Sequence, residues 1–129
     1  APNISAINTA AACASDVVIL PVMPDKFSIS GMQKTLADLA DIRNSFGVKF
    51  ESKILFTKFD GRETASHELL KLCHEGYAEH MLNAFVRVSS DAKNAIRSGK
   101  TIFDSTSTAK DDYDLVTREL LFNGGNLSA

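Results

Sequence analysis

Thr57-Lys58-Phe59-Asp60 closes the apolar segment Lys53-Ile54-Leu55-Phe56-Thr57. A lysine and a carboxylate at the end of a strand can meet a flat nitrogenous base. The carboxylate accepts hydrogen bonds from donors on the base edge, and the lysine stem covers the ring. Asp60 has a second role open to it. Its side chain can cap the helix that the turn Asp60-Gly61-Arg62-Glu63 introduces, with Lys58 left in water. The sequence leaves both roles standing.

Further along, Arg62, Arg87, Lys93, Arg97 and Lys100 gather in the second half of the chain. Contacts to nucleic-acid phosphates need only positive charge at suitable spacing and weaken with salt. The alternative is a solvated surface balanced by Glu63, Asp91 and Asp104. Gly99-Lys100-Thr101 mimics the end of a phosphate loop, but the first glycine of that motif would fall on Asn94, and the expected order strand, loop, helix is reversed. Metal chemistry finds little support. His74-Glu75 is followed by Ala78 where a zinc helix needs its second histidine, and His67, Cys73 and His80 complete no tetrahedral set. Neither cysteine has an activating pattern, and there is no GxSxG elbow.

The elements that must position these residues follow from hydrophobic periodicity. Asn3 is placed to cap a first helix, with Ile4, Ile7, Ala11 and Ala14 on one face. Val17 to Leu20 is a run without polar alternation, as in a parallel strand covered on both faces, and Pro21 ends it. Ser30-Gly31-Met32-Gln33 has the form of a capping box. The helix after it aligns Met32, Leu36, Leu39, Ile42 and Phe46 and stops at Gly47. A second strand spans Lys53 to Thr57. It is followed by a helix turning Leu69, Leu72, Cys73 and Tyr77 inward, and by a third strand from about Asn83 to Val88. Ser90 to Ser98 reads as a short helix and Thr101 to Asp104 as extended. Past the polar linker Ser105 to Thr108, a last helix buries Tyr113, Val116 and Leu120, with Asp111, Asp112 and Asp114 favourably placed near its start. Gly124-Gly125 ends it.

The sum is an α/β fold with a mostly parallel sheet between helical layers, a three-layer α/β/α arrangement. Its 129 residues, 44% apolar, suffice for one domain, drawn here as residues 1–122 with a tail at 123–129 expected to be disordered. A net charge of −2 exerts no global pull toward nucleic acid, so such binding would need a local patch. Cys13 and Cys73 read as free buried thiols. No apolar run approaches the roughly 20 residues of a membrane span, and there is no signal-type leader, so a cytoplasmic location is expected. The chain opens on Ala1-Pro2-Asn3 without an initiator methionine, which fits processing or a piece of a longer protein.

Taken in order, these segments resemble the second half of a ParA/MinD-type ATPase, the deviant P-loop family of the SIMIBI class. The likeness runs through Asn8-Thr9-Ala10, Ala14 to Pro24, Phe27-Ser28-Ile29-Ser30-Gly31, Thr57-Lys58-Phe59-Asp60-Gly61-Arg62, Arg97 to Asp104, and Arg118-Glu119-Leu120. It covers nearly the whole chain. The family's glycine-rich phosphate loop with its two lysines has no counterpart here, so the resemblance makes this a C-terminal portion that should not hydrolyse ATP alone. It implies a P-loop NTPase fold, with ATP and Mg²⁺ bound by the complete protein. It places the adenine beside Thr57, Lys58, Asp60 and Arg87, and assigns non-specific DNA contacts to Arg62, Lys93, Arg97 and Lys100. It also implies ATP-dependent homodimers, a ParB-like partner, and nucleoid association in a bacterial cytoplasm, with Met23, Phe27 and Ser28 in a dimer or partner loop. The partition (ParA) branch fits better than the membrane-binding one, because Phe122 to Ala129 cannot form a basic amphipathic helix. Two other readings remain: a GTPase-type fragment using Thr57-Lys58-x-Asp60 for guanine, and a non-catalytic interaction module of the same fold.

Overall fold

A computed structural model of the chain describes residues 6–89 and 108–123. Helix α1 (Ala6–Cys13) leads into strand β1 (Val17–Val22), followed by α2 (Lys26–Phe46), β2 (Glu51–Phe56), α3 (Thr64–Gly76) and α4 (Thr108–Arg118). The last helix continues into a π-helical turn, Glu119–Asn123. This is a small α/β domain built on a parallel pair of strands. β1 and β2 run side by side in register from Val17 opposite Glu51 to Val22 opposite Phe56.

The direction of the ladder explains how a proline is tolerated in β1. Glu51 N donates to Asp16 O at 3.0 Å and Thr57 N to Val22 O at 2.8 Å. In a parallel pair this parity turns the backbone groups of Val18, Leu20 and Val22 toward β2, and those of Val17, Ile19 and Pro21 away from it. The missing N–H of Pro21 therefore removes no β1–β2 bond. Among the described residues β1 has no second neighbour, and Ile19 is 42% exposed. The strand covered on both faces is β2 instead. Ile54 and Phe56, both 0% exposed, pack with Leu20, Val22, Met32, Leu39 and Cys73, while Leu55 turns to the other face against Leu82, Val86 and Val116 of α4.

Residues 81–88 run along the far side of β2 without forming a regular third strand. Leu82 N donates to Ile54 O, Val86 N to Phe56 O and Phe59 N to Val86 O, leaving two isolated parallel bridges, Ile54 to Met81 and Phe59 to Arg87. Between them the chain departs from the ladder, and the exposed Asn83 and half-buried Ala84 give their N–H groups to the Glu119 carboxylate, at 2.7 and 2.8 Å. The expected strand from Asn83 to Val88 is thus replaced by an irregular segment pinned from α4's continuation.

Other boundaries also move. Helix α2 starts at Lys26 rather than at the Ser30 capping box. Asp25 is extended and its carboxylate accepts from Ser28 N at 2.7 Å, so the cap is taken before Ser30 is reached. Gly47 ends α2 as expected, with φ 63°. In α1 the expected inward positions Ile7, Ala11 and Ala14 give way to Ala12, the small residue that joins the core; Ile7 is 81% exposed, and Ile4 lies outside the described residues. Phe46 and Leu72 point outward, while Ile29 joins the core. Helix α4 buries Ala109, Asp112 and Val116 in place of Tyr113. Cys73 is buried and Cys13 half-buried, both free. The capping position Asn3, the segments Ser90–Ser98 and Thr101–Asp104, and the tail after Asn123 lie outside the described residues.

Candidate functional site

At the carboxyl end of β2 the chain passes through a tight bend and opens a cleft of about 390 Å³. Thr57 completes the ladder to Val22, and its hydroxyl also donates to Val22 O at 3.3 Å. Lys58 then takes a left-handed conformation, φ 53°, which a lysine adopts at a cost of about 1 kcal/mol. That turn drives Phe59 inward, where it meets the rings of Phe85 at 4.7 Å and His67 at 4.9 Å. With Phe59 anchored, Asp60, Gly61 and Arg62 form one wall of the cleft, and Arg87 and Val88 another. His67 Nε2 bonds to Gly61 O at 3.0 Å, tying α3 to this turn.

Asp60 does not cap α3. The residue before that helix is Glu63, whose side chain makes no capping bond. The Asp60 carboxylate is instead held by Arg62. Oδ1 accepts from Arg62 N and Nε, and Oδ2 from the second guanidinium nitrogen, each at 3.0 Å. This fork, and then the Arg62 backbone N–H, holds the Asp60 carboxyl below its usual range, and the same pair raises the Arg62 guanidinium.

Arg87 is paired as well. Its Nε lies 3.1 Å from both Asp112 oxygens, another guanidinium nitrogen lies 2.8 Å from Oδ1, and its backbone N–H donates to Oδ2 at 2.9 Å. The Asp112 side chain is 4% exposed and that of Arg87 46% exposed, so a buried carboxylate steers a half-exposed cation over the cleft. Asp112 was not among the residues expected here. Its signal in the sequence is its spacing from Ala109 and Val116, which sets an acid on the apolar stripe of α4, where an unpaired charge would be costly.

The structure thus brings Asp60, Arg62 and Arg87 to one cleft. Thr57 is half-buried and Lys58 exposed just ahead of it. The two described members of the expected basic cluster, Arg62 and Arg87, are each matched by a carboxylate, Asp60 and Asp112; of the expected balancing acids, Asp91 and Asp104 lie outside the described residues. Lys93, Arg97 and Lys100 lie outside the described residues.

Met23, Phe27 and Ser28, expected in one loop, lie at the same end of β1, but only Met23 is in the connection; Phe27 and Ser28 belong to the first turn of α2, which starts early on its Asp25 cap. Ser28 is engaged internally, its hydroxyl accepting from Met23 N at 2.9 Å, while Phe27 is 90% exposed. Beside it an apolar groove of about 600 Å³ follows β1, walled by α1 and α2. Among the described residues no three His, Cys, Asp or Glu side chains converge as a metal site would need. Also among the described residues, no helix is long and apolar enough to cross a membrane. No protein-family model matches the chain, and no curated protein matches it.

Proposed function

We propose that this chain is the base-side portion of a ParA-type partition ATPase. The observation that carries the reading is the cleft where Asp60, Arg62 and Arg87 meet at the carboxyl end of a parallel strand. In open parallel sheets that edge is where ligands bind. The cleft offers a carboxylate, two guanidinium groups and the exposed Lys58 nearby. These are groups suited to a base edge and a ring face. The outer edge of β1 supports the same reading. Val17 and Ile19 turn their backbone groups outward, and the groove beside them is apolar, as a strand that receives a further parallel neighbour would require. In this reading the complete sheet is the three-layer α/β/α one, and the phosphate loop is supplied from that side.

The complete protein would then bind ATP with Mg²⁺, dimerise, and engage non-specific DNA through Arg62, Lys93, Arg97 and Lys100. A ParB-like partner would meet Met23 and the start of α2 at Phe27 and Ser28, and the assembly would work on the nucleoid. The experiment is DNA binding by the complete protein with and without ATP. ATP-dependent, salt-sensitive binding to DNA of arbitrary sequence is the expected result. A complete protein that binds neither nucleotide nor DNA would sink the proposal.

A further inference from the structure

The fork between Arg62 and Asp60 has a consequence for which base the cleft admits. An ionised carboxylate offers about four acceptor positions, two on each oxygen. At Asp60 three are taken by the neighbouring arginine: Oδ1 receives both Arg62 N and Nε, and Oδ2 one guanidinium nitrogen. Among the described residues one position remains, on Oδ2. Guanine presents two adjacent donors on its pairing edge, the ring N1–H and the exocyclic N2–H, and a carboxylate reads it by accepting both in parallel. Adenine presents one donor group there, the exocyclic N6–H₂, beside a ring acceptor. An Asp60 carboxylate held by Arg62 can serve a single donor and cannot serve the parallel pair.

We infer that Arg62 determines base choice in this cleft, holding Asp60 so that it accepts from an adenine amino group and rejects guanine. The inference rests on the cleft being the base site. The same motif that reads as a guanine-recognition element, Thr57-Lys58-Phe59-Asp60, is thereby converted by the residue two positions later. Arg62 is well placed for the task. Its side chain is 87% exposed and held by its bonds to Asp60, whereas the Asp60 side chain is 15% exposed and fixed by the turn. Glu63 N donates to Asp60 O at 3.0 Å and Ser66 Oγ accepts from Asp60 N at 3.3 Å, which fixes the Asp60 backbone, and the backbone N–H of residue 62 still holds Oδ1 once the guanidinium is removed.

The test is a titration of the complete protein with fluorescent analogues of ATP and GTP, on the wild type, Arg62→Ala, and the double variant Asp60→Ala/Arg62→Ala. The wild type is expected to prefer ATP. Arg62→Ala should strengthen GTP binding by about tenfold or more, the worth of one recovered bidentate base contact, and the double variant should lose that gain. If Arg62→Ala keeps ATP binding without gaining GTP, or the gain survives removal of Asp60, the inference fails while the base site stands. Loss of both nucleotides in Arg62→Ala would overturn it too, since Arg62 would then hold the nucleotide itself. A wild type that binds neither nucleotide overturns the base-site reading, and this inference with it.

Discussion

Removing either member of the Arg87–Asp112 pair should destabilise the protein, but not equally. In Arg87→Ala the Asp112 carboxylate, 4% exposed, loses its guanidinium and, among the described residues, keeps the backbone N–H of residue 87 alone. A buried charge left without its partner costs 3–5 kcal/mol when fully enclosed. The cleft lets water approach from one side, so about 3 kcal/mol is expected. In Asp112→Ala the guanidinium, already 46% exposed, turns into water, and what remains is a lost acceptor for one N–H and a small void. About 1–2 kcal/mol follows. Asp112→Ala/Arg87→Ala should resemble Asp112→Ala alone, giving a coupling of about 3 kcal/mol. Urea unfolding reads these differences directly. With a slope near 1.5 kcal/mol per molar, the Arg87→Ala midpoint falls by about 2 M and the Asp112→Ala midpoint by about 1 M. Equal losses, or a larger loss in Asp112→Ala, would refute the picture of a buried acid steering an exposed base.

Three further outcomes follow from the geometry. Ile54→Ala should cost about 3–4 kcal/mol in the same unfolding assay, since Ile54 is 0% exposed at the centre of the sheet. The two left-handed positions among the described residues should respond in opposite senses: Gly47→Ala loses about 1 kcal/mol although its new Cβ would meet nothing within 4 Å, whereas Lys58→Gly is neutral or up to about 1 kcal/mol more stable. Asp60 makes the pH dependence specific. Its folded pKa is depressed by the Arg62 fork, so its contribution is present above the ordinary aspartate pKa near 4 and is lost as pH falls through the lower folded value. Arg62→Ala should therefore lower stability at neutral pH and flatten its fall on acidification, as followed by thermal unfolding between pH 6 and pH 2.

How far the sequence speaks can be judged from single residues. Ile54 to Phe56 announce a buried parallel strand because apolar side chains without alternation need cover on both faces. Val17 to Leu20 announce a strand by the same sign, but the expected cover on both faces is not met there, since Ile19 is 42% exposed. Gly47 announces its stop because only glycine takes φ 63° freely. The start of α2 was masked because Asp25 and Ser30 are both competent caps, and local chemistry does not say which amides reach one first. Residues 81–88 read as a strand by composition. Their departure from the ladder depends on Glu119, which lies 35 and 36 positions away from the amides it binds. The cleft shows the same division. Asp60 and Arg62 stand out by type and spacing, and the turn that joins them is local. Asp112 reaches Arg87 across 25 positions, so its role is visible only once α4 is packed on β2.

The central claim is that the cleft beside Asp60 and Arg87 receives the base of ATP. Hydrogen exchange of the complete protein, with and without ATP, tests it at residue resolution. Protection should rise on ATP addition at the amides of residues 58–62 and 86–88. An ATP-bound protein whose protection changes elsewhere and leaves both segments untouched would contradict the account.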